Sequence, residues 1–233
     1  MSEKNYVNYW DLNIKKWGEL YFNKNLHEED VDANLITKIF YRKIIFPLER
    51  KVMQQRYELT IKFIDTFLDD PNLIVNDIGC GTGLFTNILL SKGYRVNSID
   101  FSKTAIETTL KYIKENSPDK IQNLQTFKLN AVSEKLPKSD HTICMGVLPY
   151  IKKDELNQFF NNINTFEKTM LINWVNSNNF NNIIRNFLSF LNVRNLNFQN
   201  QSSLLKIYDK INCHLKSNTK SGTGFLHVLE RSS

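Results

Sequence analysis

The sequence predicts an α/β domain built on a doubly wound, mostly parallel sheet. Three observations carry this expectation. Short apolar runs alternate with helical stripes from about residue 48 onward, the pattern that builds parallel sheets with right-handed crossovers. The first run, Leu73-Ile74-Val75, enters Asn76-Asp77-Ile78-Gly79-Cys80-Gly81-Thr82-Gly83, a carboxylate followed by a glycine-dense turn. The second run ends in another acid, Asp100, about 20 residues further on, the spacing of a ribose acceptor in nucleoside-binding α/β folds.

A helix is expected from about Leu48 to Leu68, because Met53, Tyr57, Ile61, Ile64 and Leu68 form one apolar stripe. Asp69-Asp70-Pro71-Asn72 closes it. The first strand covers about 73–78, and a helix of about 84–92 ends at Gly93, a good residue just past a helix end. Arg95-Val96-Asn97-Ser98-Ile99-Asp100 alternates polar and apolar, as a strand does. The next helix opens at Ser102 or Thr104, with Glu107 placed for a capping box and Ile106, Leu110 and Ile113 as its buried stripe. Strands follow at 124–129, at Thr142-Ile143-Cys144-Met145 and at 169–174, with a helix from near Asp154 between the last two. Residues 179–191 read as an apolar helix and 192–205 as polar and irregular. Strands near 210–216 and 225–230 are joined by the turn-rich segment 217–224.

Residues 1–48 read as an appendage. Tyr6, Tyr9, Trp10, Trp17, Tyr21 and Phe22 are mixed there with charges, and Phe46-Pro47 marks a break. These aromatics either pack on the core or cover a ligand. The length of 233 residues fits one domain with an appendage. No segment has the ~20 consecutive apolar residues of a membrane span, and Met1-Ser2-Glu3-Lys4-Asn5 lacks the apolar core of a secretory signal. Cys80, Cys144 and Cys213 are scattered and odd in number, which points to a reducing cytoplasm and no metal cluster. The net charge of +6 is dispersed, with Lys15-Lys16 and Lys152-Lys153 among the longest basic runs. It reads as a solvated surface more than as a nucleic-acid footprint.

The glycine turn suits an anionic ligand end, since it opens a helix whose first N–H groups are free. It is not a dinucleotide fingerprint: G-x-G-x-x-G counted from Gly79 needs a glycine where Leu84 stands. The pattern D-x-G-x-G-x-G over Asp77, Gly79, Gly81 and Gly83 resembles the first motif of the class I S-adenosylmethionine-dependent methyltransferases. Asp100 agrees with that resemblance, which covers roughly residues 49–230. It implies a seven-stranded sheet with an antiparallel last strand. Leu129 to Pro137 resembles the third motif of that family, with Asn130 in place of the acid that accepts from the adenine amino group. An amide oxygen also accepts. Asp140 to Tyr150 resembles the fourth motif, with Pro149 where many small-molecule enzymes of the family carry histidine.

The resemblance implies S-adenosylmethionine as cofactor and S-adenosylhomocysteine as product. Asp77, Gly79, Cys80, Gly81, Gly83, Asp100, Phe101, Asn130, Ala131 and Met145 would line its site. Arg56 would grip the methionine carboxylate, as an arginine one helix earlier does in some relatives. Cys80 reads as a small packing residue or, less simply, a nucleophile. His141 begins the fourth strand and so belongs at the edge of the sheet away from the ligand, while Tyr150 lies on the ligand edge and is the candidate catalytic residue. The expected division is 1–48 as appendage or lid and 49–233 as the methyltransferase domain. Tyr150, Trp174 and an insertion of about 176–205 would form the acceptor pocket. The expected acceptor is a small molecule, methylated on O or N, of tetrapyrrole, quinone or sugar and polysaccharide-precursor type. Two other classes stay open: an RNA or other nucleic-acid methyltransferase, favoured by the basic charge but lacking an N-P-P-Y-type motif after strand four, and a non-catalytic cofactor-binding partner protein.

Overall fold

In a computed structural model, the residues described are 14, 46–68, 70–176, 197–222 and 224–232. Most of the 1–48 appendage, the helix expected at 179–191 and most of the 176–205 insertion lie outside them. The elements, in chain order, are α1 Phe46–Phe67, β1 Ile74–Ile78, α2 Leu84–Ser91, β2 Arg95–Asp100, α3 Lys103–Asn116, β3 Leu124–Lys128, β4 Ser139–Cys144, α4 Leu156–Ile163, β5 Phe166–Val175, α5 Gln201–Lys210, β6 Cys213–Ser221 and β7 Gly224–Arg231. The strands form one seven-stranded sheet in the order β3-β2-β1-β4-β5-β7-β6. All neighbouring pairs from β3 to β5 are parallel, and β7 runs antiparallel to both β5 and β6. This is the expected doubly wound sheet with its antiparallel last strand.

Helices cover both faces, as a parallel sheet requires. One face packs Phe63 and Ile64 of α1, Leu89 and Leu90 of α2 and Ile113 of α3 on Val75, Ile143, Leu171 and Leu226. The other packs Phe159 and Phe160 of α4 and Leu204 and Tyr208 of α5 on Cys144, Ile172, Trp174 and Leu229. The chain leaves β1 toward β2 on one side and returns to pair β4 on the other. The reversal of strand order therefore falls between β1 and β4, and the crevice beyond their carboxyl ends is where ligands of such sheets bind.

Several local expectations are corrected. Pro47 does not break the chain. It sits in the first turn of α1, where its missing N–H would have no helical partner in any case, so a boundary at residue 48 falls inside that helix. Ser102, not Thr104, caps α3 by accepting from Ala105 N at 3.1 Å. The fully buried face of α3 is Ala105, Thr109 and Ile113, with Ile106 and Leu110 only half-buried. That face is turned by Thr109, whose hydroxyl donates to Gly81 O at 3.1 Å. Residues 201–210 are helical, with Asn200 accepting from Ser202 N at 2.9 Å as the cap. β6 extends to Ser221, so the 217–224 segment is mostly strand. Its polar residues suit an edge strand with one wet side. Gly93, at φ +96°, ends α2 in the left-handed conformation expected of it.

Candidate functional site

The glycine turn is tied to the sheet by backbone bonds. Gly79 N and Cys80 N both donate to Ile99 O, at 2.8 and 3.2 Å. The turn leaves β1 across the end of β2 and enters α2 at Leu84. Gly79 is exposed at the crevice with φ +71°, and a methyl group added there would run into Val147 Cγ2. Two constraints, the left-handed backbone and the close approach of the loop after β4, therefore select glycine. Gly79→Ala should lose about 1–2 kcal/mol from the backbone alone, with a further cost from displacing Val147. Urea unfolding measures the loss, and unchanged stability would refute the close approach.

Asp100 ends β2 and is 7 % exposed. One oxygen, Oδ2, accepts from Gly81 N at 3.2 Å and the other, Oδ1, from Ser102 N at 2.9 Å. The carboxylate thus holds the glycine turn and the start of α3 together. A carboxylate oxygen can accept more than one hydrogen bond. Asp77 behaves differently. Its side chain turns to the α2 side of the sheet, where Thr86 Oγ1 donates to Oδ2 at 2.7 Å and Ser98 Oγ lies 2.7 Å from the same hydroxyl. Burial raises the Asp77 pKa to about 6. The Thr86 bond works against the rise and the nearby Asp100 charge adds to it. Asp77 therefore anchors strand to helix behind the turn.

Cys80 is buried, and Thr109 Oγ1 lies 3.5 Å from its sulfur. Burial, with Asp100 and Asp77 nearby, pushes its thiol well above the ordinary range, so it stays protonated and packs rather than attacks. Burial also raises the Cys144 thiol. Asn130 follows β3. Its Oδ1 accepts from Val132 N at 3.0 Å and its N donates to Glu134 Oε2 at 2.8 Å, a tight turn at the carboxyl edge. Ala131 and Val132 carbonyls receive Asn162 Nδ2 from α4. Phe101, Asn130, Ala131 and Met145 are all half-buried.

The loop after β4 brings three further groups together. Gly146 N donates to Asn173 Oδ1 at 3.2 Å. Arg56 Nη1 lies 3.7 Å from where a Cβ of Gly146 would stand, so Arg56 of α1 reaches the loop after β4. A 3-10 turn, Leu148–Tyr150, carries Tyr150, half-buried against Val175 and Phe198. Asn197 N donates to Pro149 O at 2.7 Å and Gln199 N to Val175 O at 3.0 Å, which returns the chain beside Tyr150 at the end of β5. From the appendage, Ile14 is buried and sits 3.7 Å from the Cβ position of Gly81.

Trp174, expected at the acceptor pocket, falls elsewhere, and His141 lies where it was expected, away from the ligand edge. Trp174 is 1 % exposed and part of the core: it stacks on Phe225 at 5.2 Å, and its Nε1–H donates to His227 Nε2 at 2.8 Å. It shares a face with Met170 and Ile172, because alternate strand residues point the same way. His141 pairs with Val75 near the amino end of β1, and its Nδ1 lies 2.7 Å from Thr169 Oγ1. It is far from the crevice, as its place in the strand implied. Thr86, Ser98, Thr109 and Asn173 were not singled out from sequence. Their signal was polarity at positions where the strand or helix pattern calls for an apolar side chain.

Residues 76–167 match a family described as methyltransferase domain. With the sheet order and the glycine turn in place, this decides the assignment. That stretch is a methyltransferase domain, and the sheet that carries it has the class I methyltransferase fold. A "Ubiquinone biosynthesis O-methyltransferase" of Rickettsia felis is 32 % identical over 119 residues, 51 % of this chain and 47 % of that protein. A protein of the same name from Rickettsia canadensis is 35 % identical over 109 residues, 46 % and 44 % of the two chains. The chain spans about half the length of the curated relatives it matches. A crystal structure of magnesium protoporphyrin IX methyltransferase from Synechocystis with bound SAH has a TM-score of 0.77 at 14 % identity, covering 99 % of this chain and 100 % of that one. A Burkholderia thailandensis 1,6-didemethyltoxoflavin-N1-methyltransferase has a TM-score of 0.59 at 13 % identity, over 87 % and 94 %. Identities this low speak for the fold alone. Among the described residues no helix is long and apolar enough to cross a membrane.

Proposed function

We propose that the chain transfers a methyl group from S-adenosylmethionine to an oxygen of a small-molecule acceptor. The observation that carries this reading is the junction of the Gly79–Gly83 turn with the Asp100 carboxylate at the reversal of strand order. The residues present fit the cofactor. Gly79 and Gly81 offer a backbone without side chains, Asp100 accepts from ribose hydroxyls, and Phe101, Asn130 and Ala131 border the adenine. Arg56, near Gly146, takes the carboxylate of the amino-acid end, as a planar bidentate donor suits. An oxygen acceptor is favoured by the O-methyltransferase names of the relatives.

The bound cofactor supplies an electrophilic sulfonium methyl, so the protein's part is alignment and exclusion of water. Tyr150, at the end of β5 with Val175 and Phe198, orients the acceptor oxygen rather than taking its proton. Pro149 beside it provides no base. A ring hydroxyl that ionises readily is the acceptor this arrangement favours, of quinone-precursor or related type.

Calorimetry with S-adenosylhomocysteine should show one site per chain. Tighter binding of NAD or FAD would overturn the reading. With a catechol such as 3,4-dihydroxybenzoate as trial acceptor, mass spectrometry should find the singly methylated ether. In Tyr150→Phe, turnover should fall about tenfold or more while affinity for S-adenosylhomocysteine is kept, since only an acceptor contact is removed. Normal turnover in that variant would exclude Tyr150 from the acceptor site.

A further inference from the structure

The amide of Asn173 is only half used. Asn173 is 1 % exposed and is the one polar residue in the buried run Met170–Val175 of β5. Its Oδ1 accepts from Gly146 N at 3.2 Å. This bond settles the orientation of the amide, since a backbone N–H must face the oxygen and not the NH₂ group. The Nδ2 that points away is buried and has no hydrogen-bond partner among the described residues. A buried donor left without an acceptor costs about 1–3 kcal/mol, and such groups call for a specific explanation.

The position of Asn173 supplies one. Ile172 pairs with Cys144, the last residue of β4, so Asn173 stands one step beyond, at the carboxyl edge of β4 and β5. Alternation along β5 puts Asn173 on the same face as Leu171, which packs with α1. Arg56 is on α1, and its guanidinium approaches the same Gly146 whose N–H Asn173 holds. A neutral donor and a permanent cation therefore flank one glycine at the crevice edge.

We propose that Asn173 is a ligand-binding residue: its Nδ2, together with Arg56, receives an anionic oxygen of the ligand at the ends of β4 and β5. The inference rests on the methyltransferase reading above and adds a residue to it. A neutral N–H alone would suit any acceptor atom, but the adjacent guanidinium selects a negatively charged one. Two sources share this chemistry, the carboxylate at the amino-acid end of the cofactor and an ionised oxygen of the acceptor.

Calorimetry on the full chain separates them, with S-adenosylhomocysteine, with 5′-methylthioadenosine, which lacks the amino-acid carboxylate, and with 3,4-dihydroxybenzoate added to protein saturated with S-adenosylhomocysteine. Asn173→Asp keeps the acceptor for Gly146 and replaces the donor by an anion. Asn173→Ser, smaller and uncharged, is made alongside in case the first does not fold. If the oxygen is the cofactor's, affinity for S-adenosylhomocysteine falls about tenfold or more while that for 5′-methylthioadenosine is unchanged. If it is the acceptor's, both nucleosides bind as before and dihydroxybenzoate binding is lost. A merely structural amide would lower stability and weaken both nucleosides alike, and that result, or three unchanged affinities, overturns the proposal. Failure of the parent protein to bind either nucleoside would instead overturn the methyltransferase reading.

Discussion

Asp100→Ala should bind S-adenosylhomocysteine at least tenfold more weakly than the parent protein. In the proposed site the carboxylate takes the ribose hydroxyls, and in the fold it already holds Gly81 N and Ser102 N. A charge-assisted hydrogen bond contributes roughly 1.5–3 kcal/mol, which already amounts to tenfold or more in affinity. The same substitution takes the acceptor away from Gly81 N and Ser102 N. The glycine turn then loses one of its ties to α3, and both backbone donors must find water. Asp100→Asn is the informative companion. It keeps one acceptor oxygen but places an NH₂ group against one of the two backbone N–H groups, so it should also bind poorly. Equal affinity in a folded Asp100→Ala protein, measured by calorimetry, would remove Asp100 from the ribose site.

Between pH 4 and 6 the stability of the protein should stay nearly flat, because two buried groups titrate in opposite senses. His227 is fully buried between Trp174 and Tyr208. Trp174 Nε1–H can only donate, so His227 Nε2 accepts at 2.8 Å, and its Nδ1–H faces the Tyr208 oxygen at 3.0 Å. Protonating Nε2 would set one N–H against another. Burial lowers the His227 pKa from 6.5 to about 4. The unfolded chain therefore takes up a proton first as pH falls below 6.5, and the native state loses stability down to about pH 4. At about 1.4 kcal/mol per factor of ten in proton affinity, the loss is ~3 kcal/mol. Asp77 runs the other way. Its pKa is raised from 3.8 to about 6, so the ionised native state carries a cost above pH 6 that is relieved as pH falls from 6 to 3.8. The relief is again ~3 kcal/mol.

Asp77→Asn separates the two. The amide oxygen still accepts from Thr86, and no charge is buried, so the variant should be more stable than the parent at pH 8. It should then lose ~3 kcal/mol between pH 6.5 and 4, with His227 unopposed. Urea unfolding at pH 8, 6 and 4.5 measures both. A variant whose stability is as flat with pH as the parent's would refute the opposition. Asp100 enters here as well: its charge helps to raise Asp77, so Asp100→Ala should also lower the pKa of Asp77.

How far the chain was legible depends on whether a feature is local. The glycine turn, the acid ending β2 and the alternation of strands and helices are patterns within a few residues. They placed the sheet and the edge that carries Gly79, Asp100 and Tyr150. The turn chemistry of β6 misled, since Ser, Asn, Thr and Lys serve an edge strand as well as a loop. Trp174 misled for a different reason. Its place at the end of β5 was right, but which face a strand residue takes depends on register with β7, and that face is closed by α5.

The amino-acid sequence by itself determined the α/β class, the glycine turn after β1 and the acid that ends β2, because strand period, glycine spacing and charge at strand ends are written along the chain. Only the tertiary structure decided that Asp77 serves Thr86 while Asp100 serves Gly81 and Ser102. It alone also brought Arg56, Gly146 and Asn173 together from three separate elements. The reason is physical: both acids end buried strands of similar pattern, and what separates their roles is the direction of each side chain relative to helices packed from elsewhere in the chain.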